Sequence, residues 1–536
     1  MASPSIDITL TPEVPDGAAT GVTVSYVVRG IDVAEGDTLC RIPKTLFGFP
    51  AAEITDDGIV AFDDGGELPL THSLDEPTPT FTYRRWRTGR PSTGDIRVEY
   101  FAPVRVVTPA TTNGPLYDLR AEGSGISAAG ISFLALPDRE EEFTSSVGWD
   151  LSQLPAGARG VSSHGEDTVS RTATPEALTF TFYMAGSIGS YPEHPDPVFG
   201  MYWLSQPQFD TTEVGAYVRE LYDRMSVFFR EPDPGYRVFV RKHPFPGNGG
   251  SAMPGSRSFM FGWSDEQPQS APVLKNLLSH EAVHNWPLLS GDPAENSWYN
   301  EGVAEYYSLK LTLDAGILTA DAFAGLLNER AHGYYSNPLQ TLSSAETAEL
   351  FWKDWRAQRV PYGRGLFYLI DVDHKLRATS EGQRGLDDLV LELLERRRAG
   401  EEASVAVWID LVVRELGESA REKYGAMMAG RWVLPDTDAL APRLTGRDAD
   451  IRQLDVGFDY PSFKSGTVTG VFEGGPADKA GVRDGDVIVH GPAPHSLPQK
   501  EVTEITLTLR RDDKTFDVTY EPLGELVPGR LWDAAD

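Results

Sequence analysis

The sequence predicts a multidomain α+β protein with three domains, and three observations support this prediction. The chain has 536 residues, several times the usual size of a domain. Its hydrophobic pattern alternates in the first third and takes on helical spacing after about residue 195. Prolines and charges then interrupt the helical part before residue 448. We therefore expect domains over residues 1–175, 176–448 and 449–536.

The first domain is expected to be a β-sandwich-like domain. In GVTVSYVVRG, from residue 21, apolar and polar side chains alternate, which places the apolar ones on one face of a strand. DIRVEYFAPVRVV and EALTFTFYMAG continue this pattern, and clusters of Gly, Pro and Asp between such runs indicate turns.

The second domain is expected to be mainly helical. TTEVGAYVRELYDRMSVFFREP, from Thr211, has apolar residues every three or four positions and ends at a proline, as an amphipathic helix does. Residues from about 450 onwards return to short alternating strands. Further helical patterns cover residues 271–287, 301–312, 362–378, 385–398 and 403–428.

Charge and composition exclude some classes of partner. The formal net charge of −31 argues against nucleic acid, because binding a polyanion relies on Lys and Arg. The single cysteine, Cys40, excludes an intrachain disulfide and is expected to be an inert, packed thiol. Neither a signal peptide nor an apolar run of about 18 residues is recognisable, so we expect a cytoplasmic protein without membrane contact.

The segment HEAVHNW, residues 280–286, predicts a metal site. His280 and His284 are four residues apart in a helical pattern, so both imidazoles can reach one ion. Glu281 lies about 100° round the helix axis, next to the ion, where a carboxylate can take a proton from water. The alternative is a surface helix that happens to carry two histidines and a glutamate.

A second segment, WYNEGVAEYYS from Trp298, supplies a candidate third ligand. Glu301 begins another helical stretch, and a helix packed against the first could direct its carboxylate to the same ion. Glu305, four residues later on the same face, is expected to orient a ligand histidine. Each carboxylate could instead belong to a solvated helix face.

These motifs resemble a family. H-E-x-x-H followed by W-x-x-E-G-x-x-E-Y-Y is similar to the gluzincin zinc aminopeptidases, and three further features resemble the glycyl aminopeptidase family within them. Trp286 stands two residues after the second histidine, and PYGRGLFYLIDVDHKLR with SEGQRGLDDLV resembles the Tyr-x-Lys-Gly and Leu-Asp-Asp segments of the family. GVFEGGPADKAGVRDGDVIV, from Gly470, resembles a PDZ domain.

The resemblance implies a fold, a cofactor and residue roles. It implies a thermolysin-like catalytic domain and one zinc ion per chain, bound by His280, His284 and Glu301. Glu281 would be the general base, and Tyr362 would hydrogen-bond the oxyanion that forms during peptide hydrolysis. The implied activity is that of an aminopeptidase that prefers small N-terminal residues such as Gly or Ala.

One family segment is missing, and its absence leaves the substrate open. The family carries Gly-Gly-x-Glu-His upstream, with a glutamate that holds the substrate amine. Here Gly249 and Gly250 are followed by no glutamate before Glu266, so Asp265 or Glu266 could substitute, or both could be loop carboxylates. An endopeptidase of the same fold therefore remains an alternative.

The C-terminal domain suggests a second class of function. Backbone amides around Val456 and Gly457 could bind a C-terminal peptide carboxylate, with the peptide added as a strand. The protein could then be a catalytically idle peptide-binding scaffold. The intact set of His280, Glu281, His284 and Glu301 favours an enzyme.

Overall fold

The computed structural model describes residues 3–46, 48–78, 81–109, 111, 114–231, 234–245, 249–499 and 501–535. The chain divides into two compact units, Met1–Ser226 with Glu231–Leu278, and Val227–Arg230 with Ser279–Asp536. The predicted mixture of helices and sheets in more than one unit is confirmed. The three predicted domain boundaries stay a prediction. Among the described residues, no helix has both the length and the apolar character that are needed to cross a bilayer.

The first unit is built mainly of strands, with short 3₁₀ turns at Pro15–Gly17 and Gly130–Ser132. Its elements are β1 (Ser5–Glu13), β2 (Gly21–Arg29), β3 (Thr38–Leu46), β4 (Phe49–Pro50), β5 (Ile59–Asp63), β6 (Gly66–Glu67), β7 (Leu70–Leu74), β8 (Phe81–Thr88), β9 (Ile96–Pro103), β10 (Arg120–Glu122), β11 (Gly125–Ala129), β12 (Phe143–Trp149), β13 (Arg159–Ser162), β14 (Gly165–Glu166), β15 (Val169–Ala173), α1 (Pro175–Thr179), β16 (Phe182–Gly186), β17 (Gly189–Tyr191), β18 (Phe199–Trp203), α2 (Thr211–Phe228), β19 (Tyr236–Lys242), β20 (Gly249–Ala252) and β21 (Ser258–Trp263).

Two sheets at the N-terminal end share a core. One has the order β15-β12-β1-β2-β9-β5-β6 and the other β4-β3-β8-β7. Val24 and Tyr26 of the first sheet and Ile42 and Trp86 of the second are buried in one cluster. The alternation predicted from GVTVSYVVRG is therefore confirmed, because the apolar face of β2 lies in this core. Cys40 is fully buried there, and burial raises the pKa of its thiol to about 12, as expected for an inert packed residue.

The strand predicted over EALTFTFYMAG is wrong in its first half. Residues Pro175–Thr179 form the short helix α1, and only Phe182–Gly186 form a strand. Thr174 caps the helix by accepting a hydrogen bond from the amide of Ala177, and Pro175 occupies the first helical position. Capping and the fixed φ of proline therefore outweigh the alternating pattern here.

A five-stranded sheet of the first unit lies within residues 176–448, which were predicted to be mainly helical. β18, β19 and β21 pair in parallel within this sheet, which has the order β17-β18-β19-β21-β20. Nearly every residue of these strands is buried, so their sequences show no alternation. Parallel strands that are covered on both faces have this uniform pattern.

The second unit is mainly helical, and helix α3 (Ala271–Val283) leads into it. Its further elements are α4 (Pro293–Asp314), α5 (Ala320–Tyr335), α6 (Ser344–Leu350), α7 (Trp355–Thr379), α8 (Leu386–Arg398), α9 (Val405–Leu416), α10 (Ser419–Met428), β22 (Leu444–Leu454), α11 (Ser462–Ser465), α12 (Pro476–Lys479), β23 (Val487–His490), β24 (Ile505–Arg511), β25 (Lys514–Tyr520) and β26 (Leu523–Ala534).

The predicted helices are all present, but several have different ends. The helix predicted from residue 301 begins at Pro293, because Asp292 caps it through the amide of Ala294. The helix predicted from residue 362 begins at Trp355 and contains Pro361. The stretch 403–428 is two helices, α9 and α10, since Gly417 has a φ of 79° that helical residues do not adopt.

Helices α4 and α7 approach each other closely at two glycines. A Cβ added to Gly302 would lie 2.4 Å from the carbonyl carbon of Gly365, and one added to Gly365 would lie 1.7 Å from the carbonyl oxygen of Trp298. Neither position can therefore hold a larger residue unless the helices move apart. This close packing brings Glu301, next to Gly302, and Tyr362, one turn before Gly365, to the same place.

The C-terminal part of the second unit has a core of its own. The strands pair as β22-β26 and β23-β24-β25, and residues such as Val456, Leu507 and Ala477 are buried together. The short alternating strands predicted after residue 450 are confirmed. The amide of Gly457 donates to the carboxylate of Asp455 at 2.9 Å, so the loop expected to bind a peptide carboxylate already engages one of its own. The likeness to a PDZ domain stays a prediction.

Candidate metal centre

The structure brings the three predicted ligands together in the second unit. His280 is in the last turn of α3, His284 in the turn that directly continues it, and Glu301 on α4. The Nε2 atoms of His280 and His284 are 3.2 Å apart. Glu301 Oε2 lies 3.2 Å from His280 Nε2 and 3.7 Å from His284 Nε2. The donor atoms therefore converge on one point.

These separations fit a tetrahedral zinc ion. Ligands at 2.0–2.1 Å from a tetrahedral centre are about 3.3 Å from each other, and the three observed separations lie close to that value. Two imidazoles and one carboxylate are a donor set that catalytic zinc uses. The side chains of His284 and Glu301 are 18% and 20% exposed, so one side of the cluster is open to a further ligand.

Glu305 lies close to Nδ1, the other ring nitrogen of His280. Its Oε1 lies 3.3 Å from His280 Nδ1, and its Oε2 accepts a hydrogen bond from the guanidinium of Arg330 on α5. Burial alone would raise the pKa of Glu305, but Arg330 and His280 lower it well below the usual range. An ionised carboxylate at Nδ1 keeps the proton on that nitrogen, which leaves Nε2 as the donor to an ion.

The cluster carries excess negative charge. Burial lowers the pKa of an imidazole, yet the carboxylates of Glu305 and Glu301 raise that of His280 to about 10. Burial lowers the pKa of His284 to about 4, so this second imidazole stays neutral. A site that takes up a proton so readily favours a positive charge, which a metal ion would also supply.

Glu281 and Tyr362 lie beside the three predicted ligands. Burial and the carboxylates of Glu301 and Glu305 raise the pKa of Glu281 to about 7, although His280 acts in the opposite direction. The ring of Tyr362 is stacked on that of His280 at 5.6 Å, and its hydroxyl contributes to lowering the pKa of Glu301. Both residues are half-buried and can reach a molecule bound at the cluster.

Two charged residues of this region were not predicted from the sequence. Arg330 lies on α5, a helix that no predicted pattern covered, and Arg359 lies one turn before Tyr362 on α7. Neither belongs to a motif, so no local signal identifies them. Arg364, which stands at the family's lysine, is buried and donates to the carbonyls of Gln340 and Leu342, so here it stabilises the fold.

Asp265 and Glu266 belong to the first unit. The carboxylate of Asp265 lies 2.6 Å from the ammonium of Lys242 and accepts a hydrogen bond from Gln208. Its charge is therefore already compensated, which argues against Asp265 as a partner for a substrate amine.

Comparison with known proteins finds similar structures but no matching sequence family. No protein-family model and no curated protein matches the chain. An aminopeptidase N family protein from Idiomarina loihiensis is similar over 98% of this chain and 97% of its own, with 15% identity and a TM-score of 0.65. A Deinococcus radiodurans M1 zinc metallopeptidase variant bound to a Tyr-Ser-Ala substrate matches over 81% of this chain and 96% of its own, at 16% identity and a TM-score of 0.49. Native yeast LTA4 hydrolase matches over 81% of this chain and 69% of its own, at 13% identity and a TM-score of 0.47. The chain thus shares the fold of the Idiomarina loihiensis protein.

Proposed function

We propose that the protein is a zinc-dependent peptidase with one zinc ion per chain, bound by His280, His284 and Glu301. One observation carries this proposal. The three donor atoms lie 3.2, 3.2 and 3.7 Å apart, at the spacing of tetrahedral zinc ligands. Glu281 and Tyr362, which can move a proton and donate a hydrogen bond, stand beside them.

Each of the chain's own residues has a role in hydrolysis. When bound, the zinc ion would act as a Lewis acid that polarises the peptide carbonyl and activates water. Glu281 accepts the proton of the attacking water and passes it to the leaving amine, for which a pKa near 7 is well suited. Tyr362 donates its hydroxyl hydrogen to the oxygen on which negative charge develops. Glu305 fixes the tautomer of His280.

Within this proposal, the protein is an aminopeptidase that prefers small N-terminal residues. The resemblance to the glycyl aminopeptidases and the shared fold with an aminopeptidase N family protein support this choice. The proposed partners are peptide substrates. The proposal also includes a cytoplasmic location, which only the sequence supports. A peptide with a free amine and its N-acetylated copy separate the two peptidase classes: unchanged cleavage after acetylation would indicate an endopeptidase.

Zinc content tests the ligand assignment directly. The purified protein is expected to bind about one zinc ion per chain, and His284→Ala is expected to weaken zinc binding by at least about 100-fold. His332→Ala is a matched control, because His332 has the same side-chain exposure of 18% and lies outside the cluster. Zinc binding by His284→Ala at wild-type affinity would show that the assignment is wrong.

Mass spectrometry of the products from a peptide library completes the test. Cleavage that depends on zinc and stops in Glu281→Gln is the expected result. A zinc-loaded wild-type protein that cleaves no peptide would instead favour the peptide-binding scaffold.

A further inference from the structure

Arg359 is a cation beside the proposed catalytic residues, and it has no anionic partner among the described residues. It lies on α7, three residues before Tyr362, so the two side chains share one face of the helix. Its guanidinium carbon lies 4.7 Å from the centre of the Tyr362 ring. Among the residues that the structure describes, no carboxylate oxygen comes within 4.0 Å of its guanidinium nitrogens.

The charge of Arg356, three residues earlier on the same helix, is compensated by a carboxylate. Arg356 donates to the carboxylate of Asp354 at 2.8 Å and lies over the ring of Tyr460 at 4.4 Å. Its charge is therefore compensated within the protein. Arg359 is half-buried and contacts the Tyr362 ring, and no described carboxylate pairs with it. A guanidinium stays charged at any physiological pH.

Arg359 lies near the proposed metal site, because the Tyr362 ring that it contacts is itself stacked on His280. Its positive charge acts on Glu281, where it opposes the rise that burial causes in the pKa of this carboxyl, and on His495 in the C-terminal part of the unit, whose pKa is lowered by burial and then by Arg359. Because that imidazole is held neutral, it can donate a hydrogen bond without adding a charge. The charge of the guanidinium therefore acts on both the proposed general base and a neutral imidazole.

We propose that Arg359 binds a carboxylate of the substrate on the leaving-group side of the scissile bond. This inference rests on the proposed peptidase function. A guanidinium forms two parallel hydrogen bonds with a carboxylate, which makes it selective for this group. The other side of the scissile bond carries the ammonium of an aminopeptidase substrate, which Arg359 would repel, so the anion belongs on the leaving side.

The short distance to Tyr362 limits the length of the peptide. One extended residue spans about 3.3–3.6 Å, and the guanidinium lies 4.7 Å from the ring whose hydroxyl would contact the scissile carbonyl. The carboxylate is thus expected one or two residues beyond the cleaved bond. It can be the C-terminus of a dipeptide or tripeptide, or the side chain of an acidic residue at that position.

Four tripeptides distinguish these two sources. Ala-Ala-Ala is compared with its C-terminal amide, and Ala-Glu-Ala amide with Ala-Gln-Ala amide. The wild-type protein is expected to show a kcat/KM at least about tenfold higher for the acid in one pair, mainly through KM. A preference in the first pair shows that the terminal carboxylate is bound. A preference in the second pair shows that the acidic side chain is bound. Equal values within both pairs would overturn the proposal.

Variants of the two arginines attribute the preference to Arg359. In Arg359→Gln the ratio within the preferred pair is expected to fall to about one, whereas Arg359→Lys keeps part of it as a point charge. Arg356→Gln, the matched control, is expected to keep the wild-type ratio. A wild-type ratio in Arg359→Gln would overturn the proposal.

A binding measurement separates this inference from the proposed function. Calorimetry with the zinc-loaded Glu281→Gln protein measures the affinity for both members of a pair without hydrolysis. The acid is expected to bind about tenfold more tightly, and the additional substitution Arg359→Gln is expected to remove the difference. If the wild-type protein hydrolyses none of the peptides, the peptidase proposal fails, while equal affinities for acid and amide would show that the Arg359 site is wrong.

Discussion

Each of the two units buries a cluster of charged residues, and the clusters compensate their charge differently. In the first unit, the carboxylate of Asp118 lies within 3.0 Å of the guanidinium groups of Arg105, Arg120 and Arg241. Burial alone would raise the pKa of Asp118, but the three cations lower it below its usual range. In the second unit, His280 is surrounded by Glu281, Glu301 and Glu305. These three carboxylates face one guanidinium that is paired with them, that of Arg330, which bonds Glu305.

The difference separates a cluster that is complete without a ligand from the proposed metal site. Asp118 and its arginines have protein partners, and Arg241 also donates to the hydroxyl and carbonyl of Ser127. Such a network stabilises the fold when it is complete, and it offers nothing to a ligand. The proposed metal site, with Glu281, Glu301 and Glu305 around His280, reaches charge balance only with an added cation, either a proton on His280 or a metal ion. Buried carboxylates without enough cations therefore indicate a site.

The largest effect is expected in the second cluster, on activity. Glu281→Gln is expected to retain zinc and to lower kcat by roughly 10²–10⁴-fold, because the amide cannot accept a proton from water. In the metal-free protein at pH 8, the same substitution is expected to increase the free energy of unfolding by about 1 kcal/mol, since it removes a like charge from the cluster. Steady-state kinetics and urea unfolding measure these effects. Full activity of Glu281→Gln, or a clear decrease in its free energy of unfolding, would show that the two clusters do not differ in this way.

In the first cluster, a substitution is expected to lower stability. Asp118→Asn removes the carboxylate from three guanidinium groups and is expected to decrease the free energy of unfolding by about 3 kcal/mol. Asp7→Asn is the matched control, because Asp7 pairs with Arg29 at the surface, where such pairs contribute about 0–1 kcal/mol. Urea unfolding gives both values. Equal effects of the two substitutions would show that the Asp118 cluster is not structural.

Local signals in the sequence account for most elements that were predicted. The strand β2 and the helix α2 have one buried and one exposed face, so their periodicity is visible in the sequence. β18, β19 and β21 have no exposed face, and α5 lies in a stretch for which no helix was predicted. What sequence reasoning lacks is knowledge of which residues the neighbouring elements will cover.

At the candidate site, too, some features have a local signal in the sequence and others do not. His280, Glu281 and His284 lie within one turn and a half of chain, and their juxtaposition follows from helix geometry alone. Glu301 and Tyr362 meet because Gly302 and Gly365 allow two helices to approach closely, which only the packed structure shows. Arg330 and Arg359 reach the cluster through tertiary packing and carry no motif. Local motifs thus predict the ligands, and packing determines their surroundings.

A smaller effect on activity is expected at Tyr362. Tyr362→Phe removes a hydrogen-bond donor and leaves the stacked ring, so kcat is expected to fall about 10–100-fold with little change in KM. Zinc content is expected to stay the same, because Tyr362 is not one of the three proposed ligands. A change confined to KM would indicate that Tyr362 positions the substrate instead.

The smallest effect is expected in the pH dependence of the first unit. His243 accepts a hydrogen bond from Arg120 at its Nδ1, and burial together with the charges of Arg120 and Arg241 lowers its pKa to about 3, although Asp118 acts in the opposite direction. In the unfolded chain its pKa is about 6.5. Above pH 6.5 neither state binds the proton, so the full stability is present. Between pH 6.5 and about 3 only the unfolded state binds it, and stability is lost as the pH falls.

The limiting slope for one proton is about 1.4 kcal/mol per pH unit, so lowering the pH from 6.5 to 5.5 is expected to cost the first unit about 1 kcal/mol. Hydrogen exchange followed by mass spectrometry measures this change in peptides of each unit separately. His243→Gln keeps an acceptor for Arg120 but cannot be protonated, so its first unit is expected to lose less stability over the same interval. If wild type and variant lost the same stability, the acid sensitivity would belong to other groups, and His243 would not be part of the structural cluster's response to pH.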